Sequence, residues 1–151
     1  MPSLDSIIGL SGIELESATR EDLIEIKAKV TFRPSCVHCG FFRCRIKSSF
    51  IRVLKHTRQG NRLMVLHVRS HKFYCPRCRR FFNLRIPGVL PRRRATESFR
   101  LEVYEKHHGG ITQRLLSKTH GIGEATVERW YQDFVIYRVQ ELNGRCAPKV
   151  V

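Results

Sequence analysis

Two Cys-x-x-Cys units, Cys36-Val37-His38-Cys39 and Cys75-Pro76-Arg77-Cys78, hold the residues of this 151-residue chain best suited to chemistry. Two thiols three positions apart on a tight turn lie about one tetrahedral edge from each other, with backbone N–H groups free to donate to the sulfurs. Gly40 suits the positive φ that such a turn often needs, and Pro76 stiffens the second turn. Two turns of this kind at opposite ends of a hairpin close a four-sulfur shell, the donor set of structural zinc. The expected ligands of Zn2+ are therefore Cys36, Cys39, Cys75 and Cys78. Four sulfurs leave no open position for catalysis, so the expected role is structural. The 35 residues between Cys39 and Cys75 exceed the usual spacing, and a long hairpin accommodates them. Competing readings are a redox dithiol, which lacks its βαβ setting, and replacement of a sulfur by His38 or His71. Cys44 and Cys146 have no close partner at ligand spacing and are read as buried or free thiols.

The cysteine module lies in a stretch without acids. From Cys36 to Ala95 there are sixteen Lys or Arg and no Asp or Glu, whereas residues 1–35 carry four basic and six acidic side chains and residues 96–151 carry eight and seven. The net charge of +15 is thus local to the cysteine module and the segment behind it, as a polyanion-binding surface requires. Arg92-Arg93-Arg94 is its sharpest run. It reads as a flexible arm suited to a narrow minor groove, or as a solvated linker.

These residues need elements to position them. Ile24, Ile26, Ala28, Val30 and Phe32 alternate with Glu25, Lys27, Lys29 and Thr31, which predicts a half-buried strand, with a shorter partner at Ile13–Glu16. Ser49–Leu54 and Leu63–Val68 read as a hairpin joined by a turn over His56–Asn61. His71–Tyr74 runs into the second cysteine turn, and Phe81–Leu84 runs out of it. Pro87-Gly88 and Pro91 mark a boundary. Thr96 is a plausible cap of a helix carrying Phe99, Val103 and His107, ended by Gly109-Gly110. A second helix runs from Thr112 to His120. A third starts at Gly123 or Glu124, carries Val127, Trp130, Tyr131 and Phe134, and ends at Asn143-Gly144.

The last two helices fit a helix-turn-helix. Ser117 is small where the helices cross, Gly121 supplies a left-handed turn residue, and Leu116, Ile122, Val127 and Trp130 make a small shared core. The second helix would present Glu124, Ala125, Thr126, Glu128, Arg129 and Gln132 to a major groove. Arg129 would pair with guanine, Gln132 with adenine and Glu128 with cytosine N4. Thr112 and Gln113 would touch phosphates, while Glu124 suits the helix dipole but is repelled by phosphate. A helical hairpin that only packs is the competing reading.

The order Cys36-x-x-Cys39-Gly40, basic hairpin, His71-x-Phe73-x-Cys75-Pro76-x-Cys78 with Phe81 behind it, Arg94-x-Thr96 and helix-turn-helix resembles the N-terminal part of insertion-sequence transposases of the ISL-three family, over residues 10 to 151. The resemblance implies a zinc ribbon and a helix-turn-helix that bind the terminal inverted repeats of the element. In that family a separate RNase H-like domain with three acids and two Mg2+ ions cuts and joins the DNA. No strand pattern with three separated carboxylates follows here, so the chain reads as a fragment, a truncated gene product or a relic of such a transposase, and not as an enzyme.

The expectation is an α+β chain. Residues 1–35 form a strand segment packing on the ribbon, 36–90 the zinc ribbon, 91–95 a basic linker, 96–144 the helix-turn-helix, and 145–151 a tail leading to a missing catalytic domain. The expected partner is double-stranded DNA at transposon ends, with room for a homodimer and no membrane association. The expected location is the cytoplasm, on a bacterial nucleoid. A truncated regulator at the same DNA ends, or a zinc-ribbon adaptor for protein or RNA, are the alternatives.

Overall fold

The computed structural model describes residues 8–145, so the reading of Cys146 as a buried or free thiol and all of the expected tail beyond Arg145 lie outside the described residues. The architecture is mixed α and β, and the chain divides into two compact units between Ser98 and Phe99. No helix among the described residues is long and apolar enough to cross a membrane.

The first unit is built on a five-stranded sheet. Strands β1 (Ile13–Arg20), β2 (Leu23–Val30), β3 (Arg45–Gln59), β4 (Arg62–Tyr74) and β5 (Phe81–Asn83) are arranged in the order β1-β2-β4-β3, with β5 also on β4. The period-two pattern of β2 buries Ile24, Ile26 and Ala28. The strand stops at Val30, and Phe32, expected on the same face, lies beyond it and is exposed. β1 is longer than its apolar residues suggest and pairs antiparallel with β2, with a register shift between Leu15 and Ser17.

β2 pairs with β4 in parallel, Ile24 opposite Met64, Ile26 opposite Leu66 and Ala28 opposite Val68. On the other edge of β4, His56, Leu54 and Arg52 of β3 stand opposite the same three residues. Ile26, Leu66 and Leu54 thus form one buried row across three strands, each contributing about 1.5–3 kcal/mol by leaving water. Leu84, Ile86 and Val89 belong to the same core.

The hairpin between the cysteine turns is tighter than expected. β3 runs on through His56–Gln59, and the chain turns only at Gly60-Asn61, where Gly60 takes φ 61°, before β4 starts at Arg62. An irregularity between His56 and Gln59, and a second between Ile46 and Ser48, let β3 carry one more residue than β4 at each place. β5 takes the edge of β4 beyond the end of β2, pairing Phe82 with Phe73, whose rings stack at 5.6 Å.

Residues 91–95, read as a basic linker carrying a flexible arm or a solvated run, are pinned to β3. The N–H of Lys55 donates to the Arg94 carbonyl at 2.9 Å and the N–H of Thr96 to the Lys55 carbonyl at 3.0 Å. The guanidinium of Arg52 donates to the Arg93 carbonyl at 2.7 Å. The Thr96 hydroxyl, the expected helix cap, is buried with its oxygen 2.8 Å from Nδ1 of His56.

The second unit contains helices α1 (Glu97–His108), α2 (Gln113–His120) and α3 (Glu124–Arg145), of which α1 begins two residues before the unit boundary. Phe99, Val103, Leu116, Val127 and Trp130 are buried in it, and the Phe99 ring meets Trp130 edge-on at 5.9 Å. Arg100 is buried too. Its guanidinium bonds to Asp133 at 2.7 Å and lies over the rings of Trp130 and Phe134. α3 passes through Asn143-Gly144, where a stop was expected, and runs to Arg145.

Candidate metal centre and nucleic-acid interface

Each cysteine turn closes through the same two backbone bonds. The N–H of Gly40 donates to the Cys36 carbonyl and the N–H of Cys36 to the Phe41 carbonyl, at 2.9 and 2.8 Å. In the second turn the N–H of Arg79 donates to the Cys75 carbonyl and the N–H of Cys75 to the Arg80 carbonyl, at 2.9 and 3.0 Å. Gly40 takes φ 74° and its counterpart Arg79 φ 58°, both left-handed. The His38 N–H lies 3.4 Å from the Cys36 sulfur, the donation such turns offer a thiolate.

The two turns bring Cys36, Cys39, Cys75 and Cys78 together, with all four sulfurs within 4.8 Å of one another. Cys36 lies 3.6 Å from Cys78, and Cys39 lies 3.6 Å from Cys75. A tetrahedron with metal–sulfur bonds of about 2.3 Å has edges of about 3.8 Å, so the donor set fits a tetrahedral thiophilic ion. Neither His38 nor His71 belongs to this cluster; the His71 ring bonds to Ser49 instead, at 2.8 Å.

The electrostatics point the same way. Burial works against a thiolate at Cys75, but the N–H groups of Cys78 and Arg77 and the Cys39 thiol together hold its pKa down at about 6. Cys36 is lowered as well: burial opposes the charge, and the N–H groups of His38 and Cys39 outweigh it. Cys78 is pushed up to about 12 by burial and by the sulfurs around it. The pocket therefore favours the first thiolates and resists the last, a conflict that a divalent cation removes. Cys44 is buried beside this centre, its thiol 3.3 Å from the Phe41 carbonyl, and burial and the Cys75 sulfur push its pKa up to about 11.

A groove of about 730 Å³ runs along β3, which ends the strand order of the sheet. Arg52, Lys55, Arg85, Arg92, Arg93 and Arg94 all line it, and no acid does. The expected arginine run thus becomes one wall of a groove. Arg92 is held there at φ 62°, a conformation costly for a residue with a Cβ. The charge count indicated a basic surface; only the pinned backbone of residues 91–96 gives it a shape.

In the helical unit, Gly121 ends α2 in the left-handed region, at φ 61° and ψ 38°. The Ser117 hydroxyl donates to the Ile122 carbonyl at 2.6 Å and locks the turn. Leu116, Val127 and Trp130 are buried as expected, while Ile122 is half-buried. The expected DNA contacts divide into two groups. Glu124, Ala125 and Arg129 are exposed on the first turns of α3, and Arg129 lies 3.3 Å from the Thr126 hydroxyl. Thr112 is engaged as the cap of α2, its hydroxyl accepting from the Leu115 N–H. Glu128 accepts from the side-chain amides of both Gln113 and Gln132, so these three bind one another. The pairing joins residues fifteen and four apart, and the first of these separations depends on how the turn folds α2 back against α3, which no local pattern specifies.

No family model, curated protein or solved structure matches the chain.

Proposed function

We propose that this chain is a sequence-specific, double-stranded-DNA-binding region in which a zinc ribbon and a helix-turn-helix act together. The observation that carries the reading is the helix pair: a left-handed Gly121, a buried Leu116–Val127–Trp130 seam, and an exposed first turn of α3 bearing Arg129. A helix so presented can place a guanidinium against the guanine edge in a major groove. The acid-free groove along β3 supports a second contact, to the sugar–phosphate backbone, which gives affinity and register without sequence choice. Zn2+ held by Cys36, Cys39, Cys75 and Cys78 would tie both ends of the long hairpin and so fix the sheet that carries the groove.

The finer proposal, resting on the order of motifs, is that the duplex is the terminal inverted repeat of an insertion sequence and that the chain is the end-binding region of a transposase of the ISL-three type. The expected contacts are revised by the pairing within α2 and α3. Arg129 and Ala125 read bases, while Glu128 orders Gln113 and Gln132 rather than reaching cytosine itself. The test is the salt dependence of duplex binding. Changing Arg92, Arg93 and Arg94 together to alanine flattens the slope of log K against log salt by about 0.9 for each phosphate that the variant leaves unneutralised. An unchanged slope removes the groove from the interface.

A further inference from the structure

The two cysteine turns correspond position for position with an offset of 39, Cys36 to Cys75 and Cys39 to Cys78, with the same closing bonds. The match extends one residue past the closing carbonyl, to Phe42 and Phe81. Both rings are turned outward, at 67% and 48% exposure, although the core of the same unit takes Phe73 and Phe82. An exposed phenylalanine at one turn is ordinary; the same residue exposed at both equivalent positions calls for a ligand. A cation accompanies each ring. The Arg43 guanidinium lies over the Phe42 ring, 5.4 Å from its centroid, and the Lys72 ammonium over the Phe81 ring at 5.1 Å, while Phe41 and Tyr74 pack at a tilt against the same two rings. Arg45, Lys47, Arg77, Arg79 and Arg80 are exposed nearby in sequence, and no acid occurs between Cys36 and Ala95.

We propose that this metal-centre end of the sheet unit binds a nucleic-acid strand with unpaired bases, one base stacking on Phe42 and another on Phe81. A base that takes the place of the cation over each ring leaves that cation free to meet the phosphate. In a duplex the base faces are already stacked on one another and only their edges are open, so such rings select unpaired bases. The inference rests on the nucleic-acid reading of this unit but not on the duplex-reading role of α3. An anionic membrane surface would also accept exposed phenylalanines among cations, and planar rings at matched positions favour bases over acyl chains.

The test uses the metal-loaded chain with three probes: labelled oligothymidine, a duplex of equal length, and vesicles containing phosphatidylserine. Phe42→Ala and Phe81→Ala are each expected to weaken oligothymidine binding about tenfold while duplex affinity and metal content stay unchanged. Phe42→Trp is expected to keep the affinity, with tryptophan emission quenched by the single strand and not by the duplex. Equal losses on both nucleic acids, no loss on either, or tighter binding to vesicles than to oligothymidine would each overturn the proposal. Arg129→Ala separates the two readings, because it should alter duplex discrimination alone. Duplex binding that ignores Arg129, with single-strand binding still dependent on Phe42 and Phe81, sinks the helix reading and leaves this one standing.

Discussion

Arg79 occupies, at φ 58°, the position that Gly40 fills in the first cysteine turn. A side chain in the left-handed region costs about 1–2 kcal/mol, and glycine's greater freedom in the unfolded chain returns part of that. Arg79→Gly should therefore stabilise the metal-loaded protein by about 0.5–1 kcal/mol; a denaturant midpoint that fails to rise would show that the arginine side chain has a compensating role. The sulfurs carry a larger stake. With one ligand gone, the remaining thiolates cannot close a tetrahedral shell, and the hairpin loses the tie between its ends. Cys36→Ser should abolish stoichiometric metal binding and the cooperative melt of the sheet unit. Retained metal, or a circular dichroism melting curve identical to the unsubstituted chain, would contradict a structural centre. All four members of the sulfur cluster were legible from spacing, because a Cys-x-x-Cys turn fixes its own geometry. The left-handed arginine was not, because arginine carries no signal for that conformation.

At the scale of elements, what the chain displays locally was readable and what depends on distant partners was not. The alternation in β2, the hairpin, Gly121 and the Gly109-Gly110 stop each follow from a few adjacent residues. The parallel pairing of β2 with β4 joins Ile24 to Met64 across the whole first cysteine turn and β3, and no local pattern specifies it. The same holds for the pinning of Arg94 to Lys55, which turns an apparent linker into a groove wall. It holds again for Arg100 and Asp133, which look like surface charges on two helices. The Arg100 side chain is only 4% exposed, so the carboxylate 2.7 Å away offsets a charge that burial alone would not tolerate. Asp133 is partly exposed, so Asp133→Ala should cost the helical unit about 1–2 kcal/mol, observable as a fall in its urea midpoint. A change within about 0.5 kcal/mol, the range of ordinary surface substitutions, would show that the pair adds nothing to stability.

For the whole molecule, the two units differ in charge and in the surfaces they expose. The acid-free stretch belongs to the sheet unit, where Arg52, Lys55, Arg85 and the pinned arginines line one groove. The helical unit is nearly balanced in charge and offers instead a small exposed surface around Arg129. On the proposed reading, affinity should come chiefly from the first unit, through phosphates, and discrimination chiefly from the second, through base edges. The measurement that reaches this claim most directly is selection of bound duplexes from a random library by the metal-loaded chain at physiological salt, repeated with Arg129→Ala. The account predicts one enriched motif containing a guanine whose preference relaxes by about 1–3 kcal/mol in the variant. No enriched motif, or an identical motif from both proteins, would contradict it.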